Sequence, residues 1–459
     1  MKHAPELLYL VHGDSDELNE ALSQMRAEDI AVSLRDLPPD AAAKVMAALP
    51  FDLAVKVFDE PEVSHSRCEI VRRMDEKKAG ALIEAMSADQ QADLFREIQP
   101  GERDRLLGRL SESTKTSLER LLQYAPETAA GIMTTEFLSV PASSSVAETL
   151  ELIGRVAREK ETVYAIYVLD PATHSLVHVV SLRELISAPR DAKLLDVGSR
   201  REPVTVAAGT DREDVARLVS RYNLLAVPVV DEEKRVIGIV TVDDIIDTLV
   251  QEQTEDVQRF GGMEALDAPY MRIGMAGMIK KRAGWLCALF ISEMLTATAM
   301  QHFNNEIAKA TVLAMFIPLV MSSGGNSGSQ ATSLIIRALA LREVRLGDWW
   351  RIALRELPTG LILGAILGVI GYTRIILWQH IHFFDYGVHY QLVALTIGFA
   401  LLGIVAFGSL AGSMLPFLLK RVGVDPASAS APFVATLVDV TGLVIYFSVA
   451  YVILQGTLL

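Results

Sequence analysis

Ala431-Pro432-Phe433-Val434-Ala435-Thr436-Leu437-Val438-Asp439-Val440-Thr441-Gly442-Leu443-Val444 lies in an apolar stretch, residues 426–459, in which Asp439 is the only charged residue. A helix needs roughly 20 apolar residues to cross a bilayer, and this stretch exceeds that. Four more stretches qualify: 283–303, interrupted only by Glu293; 311–336, without charge; 358–378, with Arg374 near its end; and 392–419, without charge. Core helices of soluble domains are shorter and amphipathic, so the series predicts five membrane-spanning helices. Bases cluster at alternate ends. Lys280, Lys281 and Arg282 precede the first span, Arg337, Arg342, Arg345, Arg351 and Arg355 lie between the second and third, and Lys420 and Arg421 between the fourth and fifth. The other loops hold only Lys309 and Arg374. By the positive-inside rule the N-terminal portion is cytosolic and the C-terminus is outside.

The 459-residue chain is 51% hydrophobic with a net charge of −14, unevenly spread. From residue 280 on, 12 Lys+Arg stand against 8 Asp+Glu, while residues 1–279 carry 31 bases against 49 acids. Nucleic-acid binding needs a basic face, so this acidic portion excludes a nucleic-acid partner. Acidity suits both solubility and cations. Cys68 and Cys287 lie far apart with no ligand spacing, as expected of unpaired thiols in a reducing compartment. Met1-Lys2-His3-Ala4-Pro5-Glu6 starts no signal peptide, because acids interrupt each short apolar run.

Residues 1–130 read as a stack of short helices. A turn, an acid and an apolar stripe recur at Leu37-Pro38-Pro39-Asp40, Leu49-Pro50-Phe51-Asp52, Met86-Ser87-Ala88-Asp89 and Gln99-Pro100-Gly101-Glu102. Pro and acids favour a first helical turn. Residues 131–248 alternate β and α twice, about 131–198 and 199–248. Val140 matches Val206, residues 165–170 match 226–231, and Val179-Val180-Ser181-Leu182-Arg183-Glu184 matches Ile239-Val240-Thr241-Val242-Asp243-Asp244. This repeat resembles a tandem of CBS domains, whose clefts take adenine nucleotides. The resemblance implies Tyr167, Arg183, Glu184, Thr241 and Asp243 as nucleotide-site residues, with ATP as the ligand. Asp243, Asp244 and Asp247 fit metal binding or a helix start equally well. Residues 249–279 form a polar connecting helix ended by Gly261-Gly262, and residues 280–459 the membrane domain.

An ionisable group at bilayer depth costs at least about 2.5–3.5 kcal/mol, which singles out Asp439 and Glu293. Ala431, Ala435 and Gly442 share the Asp439 face at helical spacing, leaving room for an ion with its water. Mg²⁺ sheds water reluctantly and is held by few carboxylates, so Asp439 paired with its mate across a two-fold axis forms a candidate pore site. Glu293 fits a structural and a functional role equally. In Ser322–Gln330, Gly324 and Gly328 suit close helix packing, whereas Asn326 and Gln330 remain candidates for lining a path.

Three further motifs complete the pattern. They are Tyr124-Ala125-Pro126-Glu127-Thr128-Ala129-Ala130-Gly131-Ile132-Met133-Thr134, the Gly324-Gly325-Asn326-x-Gly328-x-Gln330 run, and Asp425-Pro426 followed by Ala435–Gly442. With the domain order they make the chain resemble the MgtE family of bacterial magnesium channels from end to end. The resemblance implies transport rather than catalysis, Mg²⁺ as the ion, a homodimer within the lipid of the inner membrane, and Asp439 at the ion-selective site. It further implies a sensor in which cytosolic Mg²⁺ bridges Asp89, Asp93, Asp211, Glu213, Asp244, Asp247, Glu252, Glu255 and Asp425 and holds the pore shut. Three positions depart from the family pattern: Ala431 replaces a polar Asn, Asn223 an acid, and Leu224 an aromatic ring.

Overall fold

The computed structural model describes residues 15–157, 160–198, 201–266, 270–271 and 273–458. The reading of Met1–Glu6 lies outside the described residues. The chain forms two compact units, Met1–Gln251 and Glu252–Leu459.

The first unit opens with nine short helices among the described residues: α1 (Ser15–Ser23), α2 (Ala27–Asp36), α3 (Pro39–Ala48), α4 (Phe51–Asp59), α5 (Ser64–Arg73), α6 (Glu76–Glu84), α7 (Ala88–Glu97), α8 (Pro100–Leu107) and α9 (Glu112–Leu121). The recurring turn-and-acid signature marks real helix starts. Pro39 and Pro100 occupy first-turn positions, and Asp40, Asp52, Asp89 and Glu102 lie in first turns. Ile30, Val45, Phe58, Ile70, Leu82 and Phe95 are buried in one core. That core continues into the second β/α unit through Val206, Val215 and Val227. The motif from Tyr124 to Thr134 makes this join. Ala129 N–H donates to the Thr210 carbonyl at 2.7 Å, and Thr134 exchanges backbone bonds with Ile239 at 2.9 Å. A Cβ on Gly131 would press on the Ala125 carbonyl and lie 2.8 Å from Pro126 Cα, so the turn has space only for glycine.

The tandem repeat is explicit. Strands β1 (Ser139–Pro141), β2 (Ala165–Leu169) and β3 (Leu176–Ser181) accompany α10 (Val146–Val156) and α11 (Leu182–Ser187). Strands β4 (Val206–Ala207), β5 (Ala226–Val230) and β6 (Val236–Thr241) accompany α12 (Arg212–Tyr222) and α13 (Val242–Phe260). Each sheet has three strands, with the middle one parallel to the first and antiparallel to the third. The irregularities at Val168/Leu169 and Val229/Val230 fall at equivalent places.

The second unit continues through α14 (Met275–His302), α15 (Asn304–Lys309), α16 (Thr311–Ala314), α17 (Ile317–Ala340), α18 (Trp349–His380), α19 (Tyr390–Arg421) and α20 (Ala431–Leu454). Four of these, α14, α18, α19 and α20, are long and apolar enough to cross a membrane. The expected fifth span is α17. It has the length, but the polar run Ser322–Gln330 dilutes its apolar character, and its contacts explain why that run is tolerated. Ser327 Oγ meets Ser409 Oγ at 2.7 Å, and Thr332 Oγ1 reaches the carbonyls of Gly328 and Gly412 at 2.9 and 2.8 Å. Polar atoms satisfied within a bundle carry no penalty against lipid.

Backbones touch where these helices cross. A Cβ on Gly412 would lie 2.9 Å from Gly328 Cα, and one on Gly364 2.8 Å from Leu402 Cα. Replacing Gly412 by Leu is expected to destabilise the protein by about 1–3 kcal/mol, because overpacking forces backbones apart. The thermal unfolding temperature in detergent should fall, whereas Gly347→Leu, where a Cβ meets open space, should leave it unchanged.

Candidate ion path and acidic sensor site

Asp439 lies midway along α20 and is partly exposed. Among the described residues it makes no hydrogen bond or ion pair, and Glu293 of α14 is the acid that acts on it electrostatically. The small residues of its helix are used unequally. Ala435 packs against Gly325, whose Cβ would lie 3.3 Å from that of Ala435, and the Ala431 carbonyl accepts from Ser329 Oγ at 3.3 Å. Gly442 is buried beside Met321. The room expected around Asp439 is therefore filled at Gly442 by bundle packing and stays partly open at Ala435 and Ala431. Helices α17 and α20 run antiparallel through these contacts, and Asn326 and Gln330 each follow a contact residue by one position. Both are exposed, as is Ser322, whose Oγ accepts from Asn326 Nδ2 at 3.5 Å. Gly324 and Gly328 pack in the bundle, against Ile404 and Val434.

The acids outside the spanning helices divide into three groups. Asp89 in the first turn of α7 is buried, not a solvated cap. Burial raises its pKa, and so does Asp93 nearby. Asp244 in the first turn of α13 is pushed up to about 8, by burial first and Asp89 second, against a hydrogen bond from Thr241 Oγ1. Asp59, at the end of α4, is raised to about 7 by burial and Asp89, and Glu161 to about 7 by burial, Asp89 and Glu136. Asp93 is more than half exposed and pairs with Arg96 at 2.7 Å, yet desolvation by the surrounding protein still raises it. Asp247 is raised by burial and by Glu62. Asp59, Glu136 and Glu161 were not legible as site residues, because they sit at a helix end and in loops outside the repeated helix-start signature.

Arg67 is buried beside this cluster, yet its donors go elsewhere. Nε donates to the Phe58 carbonyl at 2.7 Å, Nη2 to the carbonyls of Asp59 and Glu60, and Nη1 to Gln90 Oε1. Gln90 Nε2 in turn donates to Asp89 Oδ2 at 3.0 Å. Asp59, Asp89, Glu161 and Asp244 thus have no ion pair among the described residues, whereas Asp93 has Arg96. Among the described residues no three His, Cys, Asp or Glu side chains converge closely enough to hold a metal ion.

A second group has local duties. Asp211 caps α12 by accepting from Glu213 N–H at 2.8 Å, and Glu213 pairs with Arg217. Asn223 ends α12 in the left-handed region at φ 51°, a conformation that Asn tolerates better than most residues, which accounts for its presence where an acid was expected. A third group joins the end of α13 to the turn before α20. Arg259 donates to Glu255 Oε2 at 3.1 Å and to Asp425, which itself accepts from Ala427 N–H at 2.9 Å. Glu252 lies earlier on α13, half-buried.

The nucleotide candidates are similarly divided. Arg183 and Asp243 are exposed. Glu184 forms a capping box with Ser181, just as Asp244 accepts from Thr241. Tyr167 is fully buried, edge-on to Phe137 at 5.8 Å, and its hydroxyl has no hydrogen-bond partner among the described residues. Its ring is core and offers no open face for stacking. Leu224 likewise packs against the core.

Four helices long and apolar enough to span a bilayer, joined to a tandem of β/α units, define a multi-pass membrane protein. Comparisons agree. The divalent cation transporter family MgtE matches residues 317–449, the MgtE intracellular N domain residues 15–127, and CBS domains residues 129–191 and 195–251. The chain is 36% identical over 452 residues to a magnesium transporter MgtE of Thermus thermophilus, covering 97% of each chain. It is 27% identical over 444 residues to one of Bacillus subtilis, covering 97% of this chain and 95% of that one. A crystal structure of the cytosolic domain of the Mg²⁺ channel MgtE in complex with ATP is 32% identical with a TM-score of 0.50, covering 53% of this chain and 99% of that one. The chain belongs to the MgtE family.

The raised carboxyls fix a pH response. The folded unit holds protons on Asp59, Glu161 and Asp244 where the unfolded chain, with pKa values of 3.8 to 4.5, has lost them. Stability therefore falls as pH rises from the ordinary carboxylate range to about 7–8 and is level beyond. In metal-free buffer, the hydrogen-exchange protection of α7 and the start of α13, taken relative to the base-catalysed intrinsic rate, should fall between pH 6 and 8.5. Asp244→Asn should flatten that dependence, and an unchanged profile in the variant would contradict the assignment.

Proposed function

We propose that this protein carries Mg²⁺ across the bacterial inner membrane through a path centred on Asp439, and that cytosolic Mg²⁺ closes the path. The observation that carries the reading is a lone, unpaired carboxylate on α20 beside the exposed polar stripe of Ser322, Asn326 and Gln330. Polar groups at membrane depth must meet water or protein. A second copy facing this stripe creates a two-fold path flanked by two copies of Asp439. Helix α14 supports a homodimer too, since none of its residues is buried in one protomer. Carboxylates suit a hard divalent cation that retains part of its hydration shell.

Regulation follows from electrostatics. Asp89, Asp93, Asp244 and Asp247 repel one another unless a cation or proton neutralises them, so Mg²⁺ favours the compact arrangement and its withdrawal loosens it. Asp211, Glu213, Glu252, Glu255 and Asp425 extend the set of regulatory acids, with α13 carrying acids of both ends on one helix. ATP is the ligand of the CBS pair in this reading, with Arg183 and Asp243 open to phosphate and Thr241 and Glu184 reaching the ligand only by leaving their helix-start bonds. The N-terminus lies in the cytosol, which the positive-inside rule supports.

Asp439→Ala should abolish Mg²⁺ uptake into proteoliposomes while leaving membrane insertion intact; unchanged flux would sink the reading. Flux that requires a pH gradient would instead favour a proton-coupled carrier of another divalent cation. In the full-length protein, millimolar Mg²⁺, about the range of low-affinity carboxylate sites, should slow proteolysis of the cytosolic unit. Asp89→Asn should weaken that protection.

A further inference from the structure

Arg374 is an unexplained charge of the membrane domain. It lies on α18 about 27 Å along the helix from Glu356, the nearest acid of that helix, at 1.5 Å per residue. It also stands at a base-poor end of the bundle, against the charge pattern that orients the other helices. Its guanidinium lies over Trp378 at 4.1 Å from the ring centroid and 5.8 Å from that of Phe316. Among the described residues it makes no hydrogen bond or ion pair. Asp385, in the loop after α18, is engaged otherwise, accepting from Gln379 Nε2 at 3.0 Å and Gly387 N–H at 2.9 Å. The rings continue outward: Phe383 packs on Trp378 at 4.8 Å and is 69% exposed, and Tyr386 packs on Phe316 at 5.8 Å.

Aromatic faces hold a guanidinium by its plane and leave its N–H edge free. An edge with several donors matches a phosphate in the two-pronged manner that favours Arg. Aromatic rings concentrate where hydrocarbon meets headgroups, so the phosphate at hand is that of a lipid. We propose that Arg374, supported on Trp378 and Phe316, binds the phosphodiester of a membrane phospholipid. This rests on the membrane reading of α18 and not on which ion is carried.

The test uses the full-length protein, exchanged from detergent into mixed micelles containing phosphatidylglycerol or digalactosyl diacylglycerol, which lacks phosphate. Bound lipid per protomer is counted by native mass spectrometry. The wild type should retain phosphatidylglycerol about tenfold better than the galactolipid, the scale of a charge-assisted hydrogen bond. Arg374→Gln should lose that preference, and Arg374→Lys should keep only part of it. Trp378→Leu, which spares the charge, should also weaken it and serves where Arg374→Gln fails to fold. Equal retention of both lipids by the wild type overturns the proposal, as does an Arg374→Gln protein that keeps the preference. Displacement of the lipid by millimolar inorganic phosphate would overturn it in favour of a free-anion site. Mg²⁺ flux is not the readout, so failure here leaves the ion reading intact.

Discussion

The backbone-to-backbone contact between α17 and α19 at Gly328 and Gly412 governs the membrane domain. Lipid tails are as apolar as Leu, so helices in a bilayer gain little from burying hydrophobic surface and depend on close packing and polar contacts. Glycines let these two backbones meet, and the Thr332 hydroxyl then reaches the carbonyls on both helices. With that face of α17 committed to α19 and its neighbouring face to Val434 and Ala435 of α20, the remaining polar residues of the same helix, Asn326 and Gln330, have to point out of the protomer. Packing on one side thus decides exposure on the other, and it places the exposed stripe next to the helix that bears Asp439.

The first unit obeys the opposite economy. Its helices and sheets have ample apolar surface to bury, and it places carboxyls where burial works against their ionisation. Asp89 and Asp244 are drawn into the join between the helical stack and the second β/α unit by the continuous core around Met133, Val215 and Ile245. Burial raises the proton affinity of both, and Asp89 raises that of Asp244 further. Such an arrangement is weakly held at neutral pH and tightens when positive charge arrives, which is the behaviour wanted of an element with two states.

Much of this was legible in the residues because it depends on local rules. Apolar length gave four of the spans, and the repeat of Val140 at Val206 and Val180 at Val240 gave both sheets. Pro and acid gave the starts of α3, α4, α7 and α8. What escaped was tertiary. Whether the small residues beside Asp439 line a space or fill one depends on the partner across the helix, and Met321 decides it for Gly442. Tyr167 occupies a motif position associated with ligand contact, yet the opposing strands bury it. Asp59 and Glu161 lie 102 residues apart in sequence and become neighbours in effect only through the fold. Local patterning carries no trace of such a meeting.

The placement of basic groups separates the acids that a diffusible cation can serve from those already served. Glu255 and Asp425 share Arg259, so a metal ion arriving there must displace a guanidinium. Asp59 and Asp89 also have an arginine at hand, but Arg67 spends its donors on the carbonyls at the end of α4 and on Gln90. Its charge moderates the cluster from a distance without closing it. A divalent cation gains most where negative charge is buried and not directly paired, because desolvation strengthens every interaction it makes there. By that criterion the Asp89–Asp244 region carries more uncompensated negative charge than the Arg259 clasp. Arg259, for its part, fastens the end of α13 to the turn before α20.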